Sequence, residues 1–325
     1  MHAQMPILRD IIYGAAARGA DFKKVCEELG LDPQALNDSD KPVPFKPAAE
    51  VWNVVLEHTK DPLLGLHLGE ELSPAILGMI GYLMQSSGTL HEAVNMLVKY
   101  NDLYSTMMKF SSEEVADQIL IHYDPAVLWQ HQYPESARQS IEIAMAGMLK
   151  IFKTLSGRKI FPTQVALSYP SRSIAEYERI FQAVIHFQSK RNTLTFRKSD
   201  LRLAIISYDK SLFAFFNSTL DQKLKSLRKE ERFSDRLKQM IINDFKGRPP
   251  SIDIAASHFS MTARSLQRKL KEEQQSYRDI VTEIKKELAE TILTRTDFRI
   301  GEVAEILGYS ESSSFRKAFK KWSVL

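Results

Sequence analysis

Cysteine is almost missing: Cys26 is the single one among 325 residues. One thiol excludes an intrachain disulfide and a thiolate metal cluster. In the run Val25-Cys26-Glu27-Glu28-Leu29 it reads as a small buried hydrophobe, without the context that a methyl-accepting repair thiol needs. Glycine and proline are sparse, 13 of each, so long stretches run free of breakers. The histidines at 2, 58, 67, 91, 122, 131, 186 and 258 never fall at H-E-x-x-H spacing. Gly78 and Gly81 do not belong to a G-x-x-x-x-G-K-[ST] phosphate loop. Together these absences argue against an enzyme and against any bound metal or cofactor. Apolar runs of membrane length are missing too, and Arg9 and Asp10 break up the start of the chain before a signal peptide could form. The expectation is a cytoplasmic protein with no membrane partner.

What is present is a pattern stated twice near the C-terminus. Ile252-Asp-Ile-Ala-Ala-Ser-His-Phe-Ser-Met-Thr262 leads into Ala263-Arg-Ser-Leu-Gln-Arg-Lys-Leu270. About 48 residues on, Ile300-Gly-Glu-Val-Ala-Glu-Ile-Leu-Gly-Tyr-Ser310 leads into Glu311-Ser-Ser-Ser-Phe-Arg-Lys-Ala-Phe319. Each copy places a small residue (Ala256, Ala304) four after the isoleucine and a Ser/Thr helix-starter (Thr262, Ser310) six later. Apolar anchors spaced by four follow, Leu266 and Leu270 in one copy, Phe315 and Phe319 in the other. A helix-turn-helix needs a small side chain where its helices cross and an N-cap that restarts the chain at once. Between the copies, Ser276 to Arg295 carries Ile280, Ile284, Leu288 and Ile292 on one stripe with no Gly or Pro. Twenty helical residues span roughly 30 Å, close to the roughly 34 Å between successive major-groove faces of B-DNA. A plain helical bundle would share the apolar spacing but not the repeated caps.

Charge follows the repeat. Residues 234–325 hold 17 Lys+Arg against 13 Asp+Glu, and residues 1–233 hold 27 of each, so the whole formal excess of +4 lies in the repeat region. Arg264, Arg268, Lys269 and Lys271 crowd the second helix of the first copy. Arg316, Lys317, Lys320 and Lys321 crowd that of the second. Basic residues on two outward helices suit phosphate contact and counterion release.

On these residues the C-terminal part resembles the DNA-binding domain of AraC/XylS-type transcription regulators. The matching stretch runs Lys286-Glu-Leu-Ala-Glu-Thr-Ile-Leu-Thr-Arg295, then Ile300 to Trp322. The resemblance implies that Arg264, Gln267 and Arg268, with Ser313, Ser314 and Lys317, face base edges of double-stranded DNA. The chemistry is apt, since Arg reads guanine, Gln reads adenine and Ser reads either. Thr262, Lys269 and Lys320 are expected on phosphates, which position without specifying sequence. The family normally continues past Trp322 with a Gly-x-Ser/Thr-Pro turn and a short helix, whereas this sequence ends Trp322-Ser323-Val324-Leu325. The departure leads one to expect Phe315, Phe319 and Trp322 to be partly exposed.

Upstream, Lys246-Gly247-Arg248-Pro249-Pro250 interrupts two helical patterns, and the DNA-binding part is expected over 233–325. The N-terminal 1–210 reads as an α+β domain, with 211–232 as a joining helix through Phe213 to Leu227. Helices are expected over Pro6–Arg18, Phe22–Leu29 (ended by Gly30), Pro47–His58, Gly78–Ser86, Leu90–Leu103, Tyr133–Leu155 and Ile174–Phe181. Strands are expected at Thr106–Phe110 and Val115–Tyr123 around an acidic Ser111–Glu114 turn. A further strand is expected at Gln164–Tyr169. A last pair, Ala183–Phe187 and Thr193–Phe196, is expected with Asn192 in its turn. The full expectation is an α+β N-terminal domain with a small antiparallel sheet, followed by an all-α double helix-turn-helix domain.

Three fragments of the first domain resemble the arabinose-binding-type N-terminal domain found in one branch of the same family. They are Asp61 to Gly69, Gly78 to Ala93, and Tyr177 to Phe196. That resemblance implies effector sensing, dimerisation, or both; the alternative is a domain that dimerises and binds no effector. Tyr82, Tyr100, Tyr104, Trp129 and Tyr133 are candidate walls for a small-molecule pocket, though aromatics of this kind also build cores and interfaces. The expected partners are promoter DNA, a small-molecule effector, a second copy of the chain and, for an activator, RNA polymerase.

Overall fold

Caps and prolines punctuate the first half into short helices. In chain order these are β1 (His2–Gln4), α1 (Met5–Ala17), α2 (Phe22–Glu28), β2 (Pro42–Pro44), α3 (Phe45–Thr59), α4 (Leu64–Gly69), α5 (Met79–Gln85) and α6 (Leu90–Tyr104). Next come β3 (Met108–Val115), β4 (Gln118–Pro125), α7 (Val127–Gln132), α8 (Pro134–Ser156), β5 (Gln164–Ala166), α9 (Ile174–Phe181), β6 (Val184–His186), β7 (Asn192–Arg197), α10 (Lys198–Leu201) and α11 (Lys210–Glu230). Asp21 starts α2 by accepting from the amides of Lys23 and Lys24. Thr89 starts α6 by accepting from Glu92 N, while Glu92 reaches back to Gly88 N at 2.7 Å. Pro134 opens α8, and Gly157, at φ 69°, closes it. The computed structural model describes residues 1–38, 41–171, 173–230, 232–243, 245, 249–293 and 312–322. They divide into two units, Met1–Lys225 and Ser226–Leu325.

Helix α8 is the spine of the first unit. Helix α4 lies against it so closely that a Cβ on Gly65 would sit 2.3 Å from the Gln139 carbonyl oxygen, and one on Gly69 2.6 Å from Ala146 Cβ. Gly65 N donates to Gln139 Oε1 at 2.6 Å, which fixes the approach. Helix α11 is tied down by Tyr100, whose single hydroxyl proton is shared between Asn217 Oδ1 at 2.7 Å and Asp221 Oδ1 at 2.9 Å. The Lys99 ammonium stands 3.0 Å from the same aspartate and, with the tyrosine, holds its carboxyl below the usual range.

The five-stranded sheet runs β3-β4-β7-β5-β6, and three expectations change here. The hairpin turns at Ala116-Asp117, with Ala116 at φ 54°, and Ser111 to Glu114 belong to β3 itself. Those acids tolerate a strand because basic neighbours flank them. Glu113 meets His122 Nε2 at 3.2 Å, and Glu114 pairs with Lys198 and lies 3.4 Å from His91 Nε2. Strands β6 and β7 do not pair with each other; β5 lies between them, parallel to β6 and antiparallel to β7. Asn192 is therefore no turn residue. Buried at the start of β7, it accepts from Ser168 N and donates to Tyr123 O. A second, two-stranded sheet pairs β1 with β2, each too short to leave a periodic signal.

The second unit holds α12 (Phe233–Asn243), α13 (Ile252–His258), α14 (Ala263–Glu272), α15 (Tyr277–Leu293) and α16 (Ser312–Trp322). Phe233, Leu237, Met240 and Ile241 of α12 share one core with Ala255 and Ala256, Leu266 and Leu270, and Ile280 and Ile284. Ser276 and Asp279 cap α15 reciprocally: each amide donates to the other's side chain, at 3.1 and 3.2 Å. Outside the described residues lie Ile300 to Ser310, with Ala304, and the breakers Lys246, Gly247 and Arg248; so do the side chains of Leu288, Ile292 and Trp322.

Candidate functional site

The turn between α13 and α14 explains the outward presentation of α14. Ser251 caps α13 through Ile254 N at 3.3 Å. At its far end Ser260 N donates to Ser257 O and Met261 N to Ala256 O, with Ser260 in the left-handed region at φ 51°. This is the closing pattern usually taken by glycine. Thr262 restarts the chain at once, accepting from Ser265 N at 3.2 Å. Ala256 is buried at the crossing, where a larger side chain would push the helices apart.

Leu266 and Leu270 point inward from α14 and are fully buried. Arg264, Gln267, Arg268 and Lys271, spaced three and four apart, are exposed on the other side. Arg268 lies only loosely against Glu272, 4.0 Å away with both side chains solvated, a pair worth little. The helix therefore offers a basic, hydrogen-bonding face with a rigid back.

Two of the expected phosphate contacts have other engagements within the unit. The Thr262 hydroxyl also donates to Ser265 Oγ at 3.0 Å, and Lys269 Nζ lies 5.3 Å from the Phe233 ring centre. On α16, Ser313, Ser314, Arg316, Lys317 and Lys320 are exposed. Phe315 is buried, at 1 % exposure, which corrects the expectation that it would be partly exposed; α16 packs on α15, and the Phe319 ring lies beside it, tilted, with centroids 5.7 Å apart. Phe319 itself is half-buried, as expected.

Sequence reasoning missed Glu273. Its carboxylate accepts from the amides of Phe233 and Ser234 at 2.5 and 2.8 Å and so anchors the start of α12 onto the end of α14. Burial pushes this carboxyl up, but the Ser234 and Phe233 donors and Arg232 outweigh it and hold the group below the ordinary range. An acid adjacent to a basic helix carries no sign in sequence of a partner forty residues away.

In the first unit the five candidate aromatics separate. Tyr82 is 52 % exposed and stacks on Phe216, while Tyr100 anchors α11. Tyr133 packs edge-on to Phe45. Tyr104 and Trp129 alone of the five border an apolar cavity of about 100 Å³ inside the unit. Its other walls, including Trp52, Leu97 and Ile143, read in sequence as ordinary core. Among the described residues no His/Cys/Asp/Glu group could hold a metal ion, and no helix is long and apolar enough to cross a membrane.

A capped helix-turn-helix with a basic outward face, followed by a second basic helix, defines a DNA-binding regulator. The comparisons agree: residues 19–205 match the arabinose-binding domain of AraC transcription regulators, N-terminal, and residues 255–323 match a helix-turn-helix domain. The chain belongs to the AraC family of DNA-binding transcription regulators, with an arabinose-binding-type N-terminal domain. It is similar to the ornithine utilization regulator of Pseudomonas aeruginosa, 26 % identical over 81 % of this chain and 76 % of the relative. The HTH-type transcriptional regulator VqsM of the same organism is 22 % identical over 80 % of each chain. The crystal structure of the regulator CdpR from Pseudomonas aeruginosa aligns over 93 % of this chain and 94 % of that one, at 24 % identity and a TM-score of 0.46.

Proposed function

We propose that this regulator reads a specific operator through α14 and α16, under control of a small molecule held in its N-terminal unit. The observation that carries the DNA reading is the face of α14, where Arg264, Gln267 and Arg268 stand exposed opposite the buried Leu266 and Leu270. On this reading these three residues and Ser313, Ser314 and Lys317 meet base edges, and Thr262, Lys269 and Lys320 meet phosphates. The chain acts in the cytoplasm, has no enzymatic activity, and recruits RNA polymerase if it activates. Domains of 1–210 and 233–325, joined over 211–232, divide the labour.

Effector control is favoured over a purely dimerising first domain by the cavity that Tyr104 and Trp129 border. A homodimer is supported by the exposed apolar side chains Leu212 and Phe215 on α11. Titration of the full chain with operator and scrambled DNA across a salt series tests the DNA reading. Tight binding to one sequence, with a steep salt slope on both, is expected; equal affinity for both sequences would remove it.

A further inference from the structure

We propose that the cavity of the first unit binds one neutral amphiphile, an alkyl chain ending in an uncharged oxygen, rather than a sugar. This rests on the reading of that unit as the sensing part. Walls such as Ile11, Trp52, Leu97, Met108, Ile143 and Ile151 come from α1, α3, α6, β3 and α8. At about 10–15 Å³ for each water-sized group, the volume of about 100 Å³ admits roughly seven to ten non-hydrogen atoms. The walls are aliphatic and aromatic almost throughout, so an alkyl chain meets them without burying unpaired polar groups, as a polyhydroxylated ring would.

The chemistry of the walls decides the end group. Among the described residues no Lys, Arg, Asp, Glu or His borders the space, so a carboxylate or an ammonium would lose its water without gaining a counter-charge. The polar handles are few. Trp52 Nε1 is committed to Ser140 Oγ at 2.6 Å, and Trp129 Nε1 to Ser136 Oγ at 3.0 Å. Ser105 donates to the His2 carbonyl and accepts from Met107 N. Two groups are not committed in this way among the described residues: the Tyr104 hydroxyl, which lies in the field of Asp10 just outside the walls, and the Ser140 proton. Two hydroxyls offer at most two partners to a bound ligand. They cannot satisfy the several hydroxyls of a pentose, each of which is unfavourable to bury unpaired.

Calorimetric titration of the full chain at pH 8 with 1-octanol, sodium octanoate and L-arabinose tests the assignment. One-to-one binding of 1-octanol is expected, with octanoate at least tenfold weaker and no heat from arabinose. Ala144→Phe fills the space and should weaken 1-octanol at least tenfold, with the circular dichroism spectrum checking the fold. Leu97→Ala, which enlarges the space, should shift preference from 1-octanol to 1-decanol and covers the case in which the first variant does not fold. Stoichiometric arabinose binding, or 1-octanol binding indifferent to both variants, overturns the proposal. DNA affinity in the same samples reports separately on sensing. Should 1-octanol bind and leave DNA affinity unchanged, the site stands and effector control by it falls.

Discussion

At the scale of single residues, the second unit separates reading from grip. Arg268 stands on the exposed face of α14 with only a distant acid beside it. Arg268→Ala should cost about 1–3 kcal/mol of discrimination at one base position. Lys320→Ala, on α16, should weaken all sequences alike and lower the salt slope by about one unit. Equal losses on operator and scrambled DNA for Arg268→Ala would refute its role as a base reader. Glu273 makes a separate prediction about pH. Its folded-state pKa lies below the ordinary 4.5, so its contribution is present above 4.5 and is lost as pH falls through the lower, folded value. Glu273→Gln should therefore flatten the acid limb of the second unit's stability curve, measured by denaturant unfolding between about pH 5 and 3. A limb as steep as in the unaltered chain would show that the anchoring of α12 does not depend on that charge.

At the scale of elements, α15 is continuous from Tyr277 to Leu293 and buries Ile280 and Ile284. Ile284→Pro removes a backbone donor and clashes one turn back, costing about 3 kcal/mol or more. If α15 sets the spacing of α14 and α16, specific DNA binding should vanish; a folded variant with unchanged operator affinity would count against that spacing. The turn before α14 offers a gain instead, because Ser260 holds a conformation that costs an L-residue roughly 1–2 kcal/mol. Ser260→Gly should raise the unfolding midpoint of the second unit, less the extra chain entropy glycine brings. Elements of this kind were legible in sequence where pattern and cap coincide, as in α6, α8 and α14. Legibility failed where a strand depends on distant partners. The acids of β3 look like a turn until His122, His91 and Lys198 are brought beside them, and β6 looks like the mate of β7 until β5 intervenes. The basic face of α14 could be read from spacing alone. The cavity could not, because aliphatic walls and solid core use the same residues.

At the scale of the whole molecule, each unit has its own core, one running from Ala3 to Leu224 and the other from Phe233 to Ile284. Truncating Leu237, fully buried in the second core, to alanine should cost about 2–5 kcal/mol there. Amide exchange should quicken across α12 to α15 and stay unchanged across α8 and the five-stranded sheet. Exchange that quickens in both would mean that the two cores open as one.

The lone cysteine has a practical corollary for that division. Cys26 is 1 % exposed, and burial pushes its thiol up, so it will be a poor nucleophile at neutral pH. Reporters can therefore be attached at exposed positions outside the proposed base contacts, such as Glu272 on α14 and Arg316 on α16, with little background labelling. Cys26→Ala removes even that. A spectroscopic ruler between two such positions would measure the gap between the helices directly, with and without DNA, and compare it with the roughly 34 Å repeat of the groove.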